Sequence, residues 1–243
     1  MAQLGVLKNS HLIFLAISFF ACTSNQKSIS TKNIADKTID RIYTPSFNED
    51  SAYTYIDKQV AFGPRVPNSQ AHEYCYNYLV NSLARFGAKI ITQSETIKRY
   101  DGMQMEMKNI IASFNTGSHN RILLCAHWDS RFIADNDIKN TDKPILGAND
   151  GGSGVGVLLE IARQISLNPL NTGVDIIFFD VEDQGQPNTA INQKAHTWCL
   201  GSQYWATNPH VEDYFADYGI LLDMVGAKNA TFTKEGVSRQ FGS

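Results

Sequence analysis

Two helices are predicted at the start of the globular part of the chain. The first covers residues 48–62, with possible capping residues at Asn48 and Asp50. The second covers residues 69–86, because its apolar residues recur at helical spacing. These residues form one face of the helix: Cys75, Leu79, Leu83 and Phe86. The second helix is therefore predicted to be amphipathic.

The strand patterns follow these helices. Residues 89–97 and 103–114 alternate between apolar and polar positions, which predicts a pair of strands joined by a turn at Asp101 and Gly102. Three continuous apolar runs predict buried strands: "RILLCAHWDS", "GVDIIFFDVE" and "YGILLDMVG". Helical patterns, "GVGVLLEIARQI" and "GSQYWATN", separate them. This alternation predicts an α/β fold whose mixed, largely parallel central sheet has helices on both faces.

Acidic and imidazole side chains follow each buried run. They are His127 and Asp129 after the first, Glu182 and Asp183 after the second, Asp223 after the third, and Asp150 in the loop before a helix. Because ligands bind beyond the carboxyl ends of parallel strands, we expect these groups to converge there. Buried carboxylates need a cation or hydrogen-bond donors, which favours a divalent metal. On an extended chain Glu182 and Asp183 would point in opposite directions and serve different partners.

Composition narrows the possible functions. The 243 residues suffice for one sizeable domain, and 43% are hydrophobic and 19% charged. The net charge of −3 and the pI near 6.1 lack the basic character of nucleic-acid binders, so no nucleic-acid partner is expected. The glycine-rich "GANDGGSG" has neither the lysine nor the spacing of a phosphate-binding loop, so it does not predict nucleotide binding.

The N-terminus has the pattern of an export signal. An apolar run from Leu12 to Ala21 is too short to span a bilayer and fits a secretory segment. It ends in "FFAC", which resembles a bacterial lipobox and predicts lipidation of Cys22, although an ordinary signal peptide with an incidental cysteine would look similar. The prediction is a signal peptide over 1–22, a polar tether over 23–44 and a folded domain over 45–243. The protein would be an exported periplasmic or outer-membrane lipoprotein of a bacterium, held at the membrane by its lipid.

The remaining cysteines are Cys75, Cys125 and Cys199. Three thiols permit at most one disulfide, and their spacing does not resemble a thiolate zinc site. At least two of them are expected to be buried as small apolar side chains.

Five motifs carry a family resemblance: "AHWDS", "GANDGGSGVGVLLEIAR", "DIIFFDVED", "GSQYW" and "ILLDMVGA". Together with "FGPRVPNS" upstream, their order resembles the M28-like zinc exopeptidase superfamily over roughly residues 52–232. Aminopeptidases of this group bind two zinc ions and hydrolyse a terminal peptide bond. Its glutaminyl cyclases use one zinc ion and convert N-terminal glutamine to pyroglutamate with release of ammonia.

The segment after Gly185 favours the cyclases. Fifteen residues, 186–200, separate Gly185 from Gly201 and include Trp198, where the aminopeptidases have almost no insertion. This insertion and "WCLGSQYW" are similar to the bacterial type II glutaminyl cyclases. The resemblance implies cyclisation of N-terminal glutamine on peptide or protein substrates. A di-zinc aminopeptidase remains the alternative enzyme.

The resemblance also implies roles for individual residues. Asp150 and Asp183 match two ligands of a single zinc ion, and Glu182 matches the catalytic acid/base. Asp223 matches an aspartate that forms a hydrogen bond near the path of the proton transferred by Glu182. His127 matches a histidine that lies at the substrate site without binding metal. Trp198 matches an aromatic wall of the substrate pocket.

The third zinc ligand is expected outside this sequence. The superfamily supplies it as a histidine well beyond the "LLDMVGA" strand, whereas the sequence here stops at Ser243. We therefore expect the catalytic domain to be incomplete at its C-terminus. This leaves a further alternative, a non-catalytic lipoprotein remnant that retains a peptide-binding cleft.

Overall fold

The computed structural model describes residues 44–187, 189–233, 236 and 238–240. The signal peptide over 1–22, the lipidated Cys22 and the tether up to residue 43 lie outside the described residues and stay predictions. Within the described part, no helix combines the length and the apolar character that crossing a bilayer requires.

The two N-terminal helices form as predicted. Helix α1 spans Glu49–Ala61, and the side chain of Asn48 accepts a hydrogen bond from the backbone N–H of Ser51. Helix α2 spans Gln70–Arg85 and is capped in the same way by Ser69. Three of the four residues predicted for its apolar face, Cys75, Leu79 and Leu83, are fully buried.

The strands form one mixed sheet. Within the described residues the elements that follow are β1 (Lys89–Lys98), β2 (Gln104–Phe114), β3 (Arg121–His127), α3 (Gly152–Leu167), β4 (Gly173–Phe179), α4 (Leu200–Thr207), β5 (Tyr218–Leu221) and a short 3-10 helix (Ser238–Gln240). The strand order is β1-β2-β4-β3-β5. Strands β4, β3 and β5 pair in parallel, and β2 is antiparallel to both β1 and β4. Four of the five strands thus run in the same direction, which confirms the predicted mixed α/β sheet.

Helices cover both faces of this sheet. On one face, Ile110, Ile176 and Phe178 pack in a cluster with Leu79 of α2 and Leu158 of α3. On the other face, the neighbouring residues Ile111 and Ile177 pack in a smaller cluster with Trp205 of α4. The period-two alternation of the strands therefore divides the core into two layers. Cys75 and Cys125 are buried free thiols, as predicted, and Cys199 is a half-buried free thiol.

Two sequence predictions are wrong in detail. Strand β4 ends at Phe179, and Val181 has φ +55°, so Glu182 and Asp183 lie in a turn and the extended-chain argument for their opposite directions does not hold. The carboxylate of Asp180 causes this ending, because it accepts the backbone N–H groups of Val181 and Lys108 in place of further strand pairing. Strand β5 is exposed at all four residues, and among the described residues only β3 pairs with it.

Candidate metal centre

The centre of the site is His127, the last residue of β3. Its Nε2 lies 2.9 Å from Oδ1 of Asp150 and 3.5 Å from Oδ1 of Asp223. Its Nδ1 lies 3.4 Å from Oδ1 of Asp129 and 3.9 Å from Oε2 of Glu182. Burial opposes a charged imidazole, but hydrogen bonds to Asp129, Asp150 and Asp223 outweigh it and raise the pKa of His127 well above its usual value. The predicted convergence of polar groups at this edge of the sheet is confirmed.

The loop that carries Asp150 is held by a buried arginine. The guanidinium of Arg65 donates to the backbone carbonyls of Trp128, Leu146 and Gly147 at 2.9, 2.6 and 2.7 Å. Gly151 allows the close approach to His127, since it has φ +80° and a Cβ there would lie 3.0 Å from Cε1 of His127. Arg65 of the "FGPRVPNS" motif thus helps to fix the position of Asp150 through the backbone of its loop.

Asp129 organises the turn after β4. Fully buried, it accepts the backbone N–H groups of Glu182 and Asp183, both at 3.1 Å, and the side-chain amide of Gln184 at 3.0 Å. Asp183 is 5% exposed, and within the described residues its Oδ2 has no hydrogen-bond partner. Burial, followed by the charges of Asp129 and Asp150, raises the pKa of Asp183 to about 8. The charge of His127 lowers this pKa in part, but burial and the neighbouring carboxylates outweigh it.

Glu182 lies at the edge of a small cavity. The cavity has a volume of about 130 Å³ and is lined by Cys125, His127, Phe179, Glu182, Cys199, Ser202, Leu221 and Asp223. The thiol of Cys199 donates a hydrogen bond to Oε1 of Glu182 at 3.1 Å. Burial is the main reason that the pKa of Glu182 is raised, with the charge of Asp129 adding to it. A carboxyl group with a raised pKa beside a cavity is suited to proton transfer.

These donor groups fit a divalent cation. His127, Asp150 and Asp223 each offer a ligand atom, and these atoms lie within 4.8 Å of one another. The buried, unpartnered oxygen of Asp183 is a further negative group close by. Imidazole nitrogen and carboxylate oxygen are ligands that zinc accepts, and a cation bound at the imidazole nitrogen would compete with its proton. The predicted ligand pair, Asp150 and Asp183, stays a prediction, because the geometric group pairs Asp150 with His127 and Asp223 instead.

Of the other residues, Asp223 lies at this centre, whereas Trp198 and His210 do not line the cavity. Asp223 contacts His127 as described and lines the cavity. Trp198 is half-buried and packs against Gly185, where a Cβ would overlap its indole, but it is not among the cavity's lining residues. His210, the one histidine after the insertion, accepts a hydrogen bond from Nε1 of Trp205 at 3.1 Å and belongs to an aromatic cluster away from the site.

Sequence reasoning did not assign Asp129, Arg65 or Cys199 to particular contacts. Asp129 was predicted only as a member of the converging group, although it forms the hydrogen bonds that shape the turn. Arg65 belongs to the "FGPRVPNS" motif. Its side chain is fully buried, which the sequence does not reveal because charged side chains are usually exposed.

Comparisons with known proteins agree with this picture. The family model of peptidase family M28 matches residues 109–241. A glutaminyl-peptide cyclotransferase of Drosophila melanogaster is 26% identical over 179 residues, which cover 70% of this chain and 46% of the relative. The chain spans about half the length of the curated cyclotransferases that it matches.

Solved structures show a higher similarity. A Zn-dependent exopeptidase from Parabacteroides distasonis is 55% identical, with a TM-score of 0.80, over 82% of this chain and 68% of that one. A glutaminyl cyclase from Bacteroides thetaiotaomicron, bound to N-acetylhistamine, is 53% identical, with a TM-score of 0.80, over 82% of this chain and 69% of that one.

Proposed function

We propose that this chain, which belongs to peptidase family M28, is a zinc-dependent glutaminyl-peptide cyclotransferase. Its substrates would be peptides or proteins that begin with glutamine, and its products would be the same chains beginning with pyroglutamate, together with ammonia. The observation that carries the proposal is Glu182, a carboxyl group with a raised pKa at a cavity of about 130 Å³, one residue before the unpartnered Asp183. The similarity to a solved glutaminyl cyclase supports the choice of reaction.

Glu182 has the properties that the proton transfers require. The α-amine of the substrate attacks the carbon of its own γ-amide, so a C–N bond forms within the substrate and the bond to the departing NH₂ group breaks. Glu182 takes the proton from the attacking amine and returns it to the leaving nitrogen, which departs as ammonia. Since nucleophile and electrophile belong to one residue, their proximity replaces an external water molecule.

Other side chains prepare the site for this step. Asp150 and Asp183, or Asp150 with His127 and Asp223, would hold a zinc ion, which supplies a Lewis acid for the amide carbonyl. The thiol of Cys199 orients Glu182 through its hydrogen bond. Phe179 and Leu221 line the cavity with apolar surface, which limits the water around the reacting amide.

The test is product identity. The purified chain is incubated with zinc and a peptide that begins with glutamine, and the products are analysed by mass spectrometry and an ammonia assay. We expect a loss of one ammonia per peptide, above the spontaneous rate measured without protein. An intact peptide after a long incubation would contradict the proposal and would favour a non-catalytic binding protein.

The same incubation separates the cyclase from an aminopeptidase. Release of free glutamine in place of ammonia would identify hydrolysis of the terminal peptide bond. Zinc stoichiometry gives an independent measurement: one ion per chain supports the cyclase, and two support the di-zinc aminopeptidase.

We also propose that the protein is an exported lipoprotein anchored through Cys22. The support is the apolar run before "FFAC". Metabolic labelling with a radioactive fatty acid should mark the wild-type protein and leave Cys22→Ser unlabelled. Equal labelling of both proteins would contradict the anchor.

A further inference from the structure

Arg131 makes a set of contacts that the proposed chemistry does not use. It lies in the loop after β3, two residues beyond Asp129, and is 6% exposed. Its Nε and Nη2 donate to the carboxylate of Asp135 at 2.5 and 2.7 Å. Its Nη1 donates to the backbone carbonyls of Asp183 and Gly185 at 3.0 and 3.3 Å. The two-pronged ion pair with Asp135 thus orients the guanidinium so that Nη1 meets the turn.

Asp129 and Arg131 bind complementary groups of this turn. Asp129 accepts the N–H groups of Glu182 and Asp183, whereas Arg131 donates to the carbonyl groups of Asp183 and Gly185. The peptide groups on both sides of Asp183 are therefore fixed by side chains from a single loop. Because a side chain moves with its backbone, these bonds also determine where the unpartnered carboxylate of Asp183 lies.

The same guanidinium reaches Trp198. Its Cζ lies 4.4 Å from the centroid of the Trp198 ring, which is a cation–π contact. The indole also packs against Gly185, whose carbonyl oxygen Arg131 binds. One arginine therefore contacts the carboxylate-bearing turn and the aromatic residue of the insertion at once.

We propose that Arg131 is a positioning residue that holds the turn 182–185 and the Trp198 indole in one fixed arrangement. The inference depends on the proposed function only in that Asp183 takes part in metal binding, and it does not require the cyclisation reaction. Lysine cannot replace this arginine, because an ammonium group lacks the planar fork that serves Asp135, two carbonyls and a ring together.

The experiment compares Arg131→Lys with the wild type in two measurements. Zinc affinity is measured by competition with a chromogenic chelator. Acrylamide quenching of the metal-free protein reports the exposure of Trp198, whose fluorescence is isolated as the difference from Trp198→Phe in the same background. The matched control is Arg85→Lys, because Arg85 is exposed and its guanidinium also lies over a ring, that of Phe86, at 5.8 Å.

We expect Arg131→Lys to bind zinc about 10- to 100-fold more weakly, as is typical for loss of a group that orients a ligand. We also expect stronger quenching of Trp198, whereas Arg85→Lys should match the wild type in both measurements. Wild-type zinc affinity together with wild-type quenching in Arg131→Lys would overturn the inference.

A second variant covers the case in which Arg131→Lys does not fold. Asp135→Asn keeps the guanidinium but removes the carboxylate that orients it, and it should show smaller changes in the same direction. Wild-type values for both measurements in Asp135→Asn would likewise overturn the inference. A wild-type chain that binds zinc but forms no pyroglutamate would contradict the proposed function alone.

Discussion

The thiol of Cys199 lies 3.1 Å from Oε1 of Glu182, and the backbone N–H of Cys199 donates to the backbone oxygen of Glu182 at 2.9 Å. The next residue, Leu200, donates its N–H to the oxygen of Val181 at 3.0 Å. The end of the insertion is thereby joined to the acidic turn at which the insertion begins. The base of the insertion therefore lies at Glu182, the residue proposed for the proton transfers.

Cys199→Ala should reduce the rate of cyclisation while leaving the fold intact. Burial, and then the charge of Glu182, raises the pKa of Cys199 to about 12, so the thiol remains a hydrogen-bond donor at neutral pH. Loss of one such bond is worth about 0.5–1.5 kcal/mol, or roughly two- to tenfold in kcat. Cys199→Ser retains a hydrogen-bond donor, so its rate should fall between those of the wild type and Cys199→Ala. Steady-state kinetics decide this, and equal rates for all three proteins would contradict an orienting role for the thiol.

Glu182→Gln should abolish most of the activity and preserve metal binding. The amide cannot accept the proton from the attacking amine, and positioned acid–base catalysis contributes about 10²- to 10⁴-fold. The measurements are the rate of pyroglutamate formation and the zinc content by atomic absorption. The control is Glu212→Gln, at an exposed glutamate. Loss of zinc in Glu182→Gln would assign this residue to the metal in place of the proton transfers.

Gly185→Ala should displace Trp198. A Cβ at position 185 would overlap the indole, so the ring has to move away from the turn. Overpacking of this kind costs about 1–3 kcal/mol of unfolding free energy, and the loss of the ring's position should raise KM for glutamine-initiated peptides. The control is Gly117→Ala, where a Cβ would meet nothing within 4 Å. Urea unfolding and KM of the two variants provide the comparison, and unchanged values in Gly185→Ala would show that Trp198 does not depend on this contact.

The sequence predicts those features of the fold that depend on local periodicity. The apolar face of α2 and the two faces of β2 follow from spacing alone, and the convergence at His127 follows from the order of strands and helices. The candidate metal ligands cannot be identified from spacing, because five carboxyl groups of the described residues lie around His127 and only their geometry distinguishes them.

Two features have causes outside their own segment. Valine disfavours positive φ, so no local pattern indicates the left-handed conformation of Val181. The contacts that accompany it come from β2, where Met105 and Met107 pack with Val181 and the backbone N–H of Lys108 donates to the carboxylate of Asp180. The exposure of β5 likewise depends on what pairs with and covers the strand, which its apolar composition does not reveal.

Asp175→Asn should destabilise the protein in a pH-dependent manner. Asp175 is 1% exposed and forms a two-pronged ion pair with Arg121 at 2.6 and 2.7 Å. Burial would raise the pKa of Asp175, but hydrogen bonds from Arg121, Ser113 and Tyr214 outweigh it and hold the pKa below its usual value. Removing one partner of a buried pair costs about 3–5 kcal/mol at neutral pH.

The sign of the pH dependence follows from the lowered pKa. The ionised carboxylate stabilises the fold above the unfolded-state pKa of about 3.9, and this contribution is lost as the pH falls through the lower folded-state pKa. The difference in unfolding free energy between wild type and Asp175→Asn should therefore be largest near pH 7 and shrink below about pH 4. Urea denaturation across this range measures it, with Asp142→Asn, at an exposed aspartate, as the control. A difference that stays constant with pH would mean that the charge of Asp175 does not stabilise the fold, and the cost would then come from side-chain packing alone.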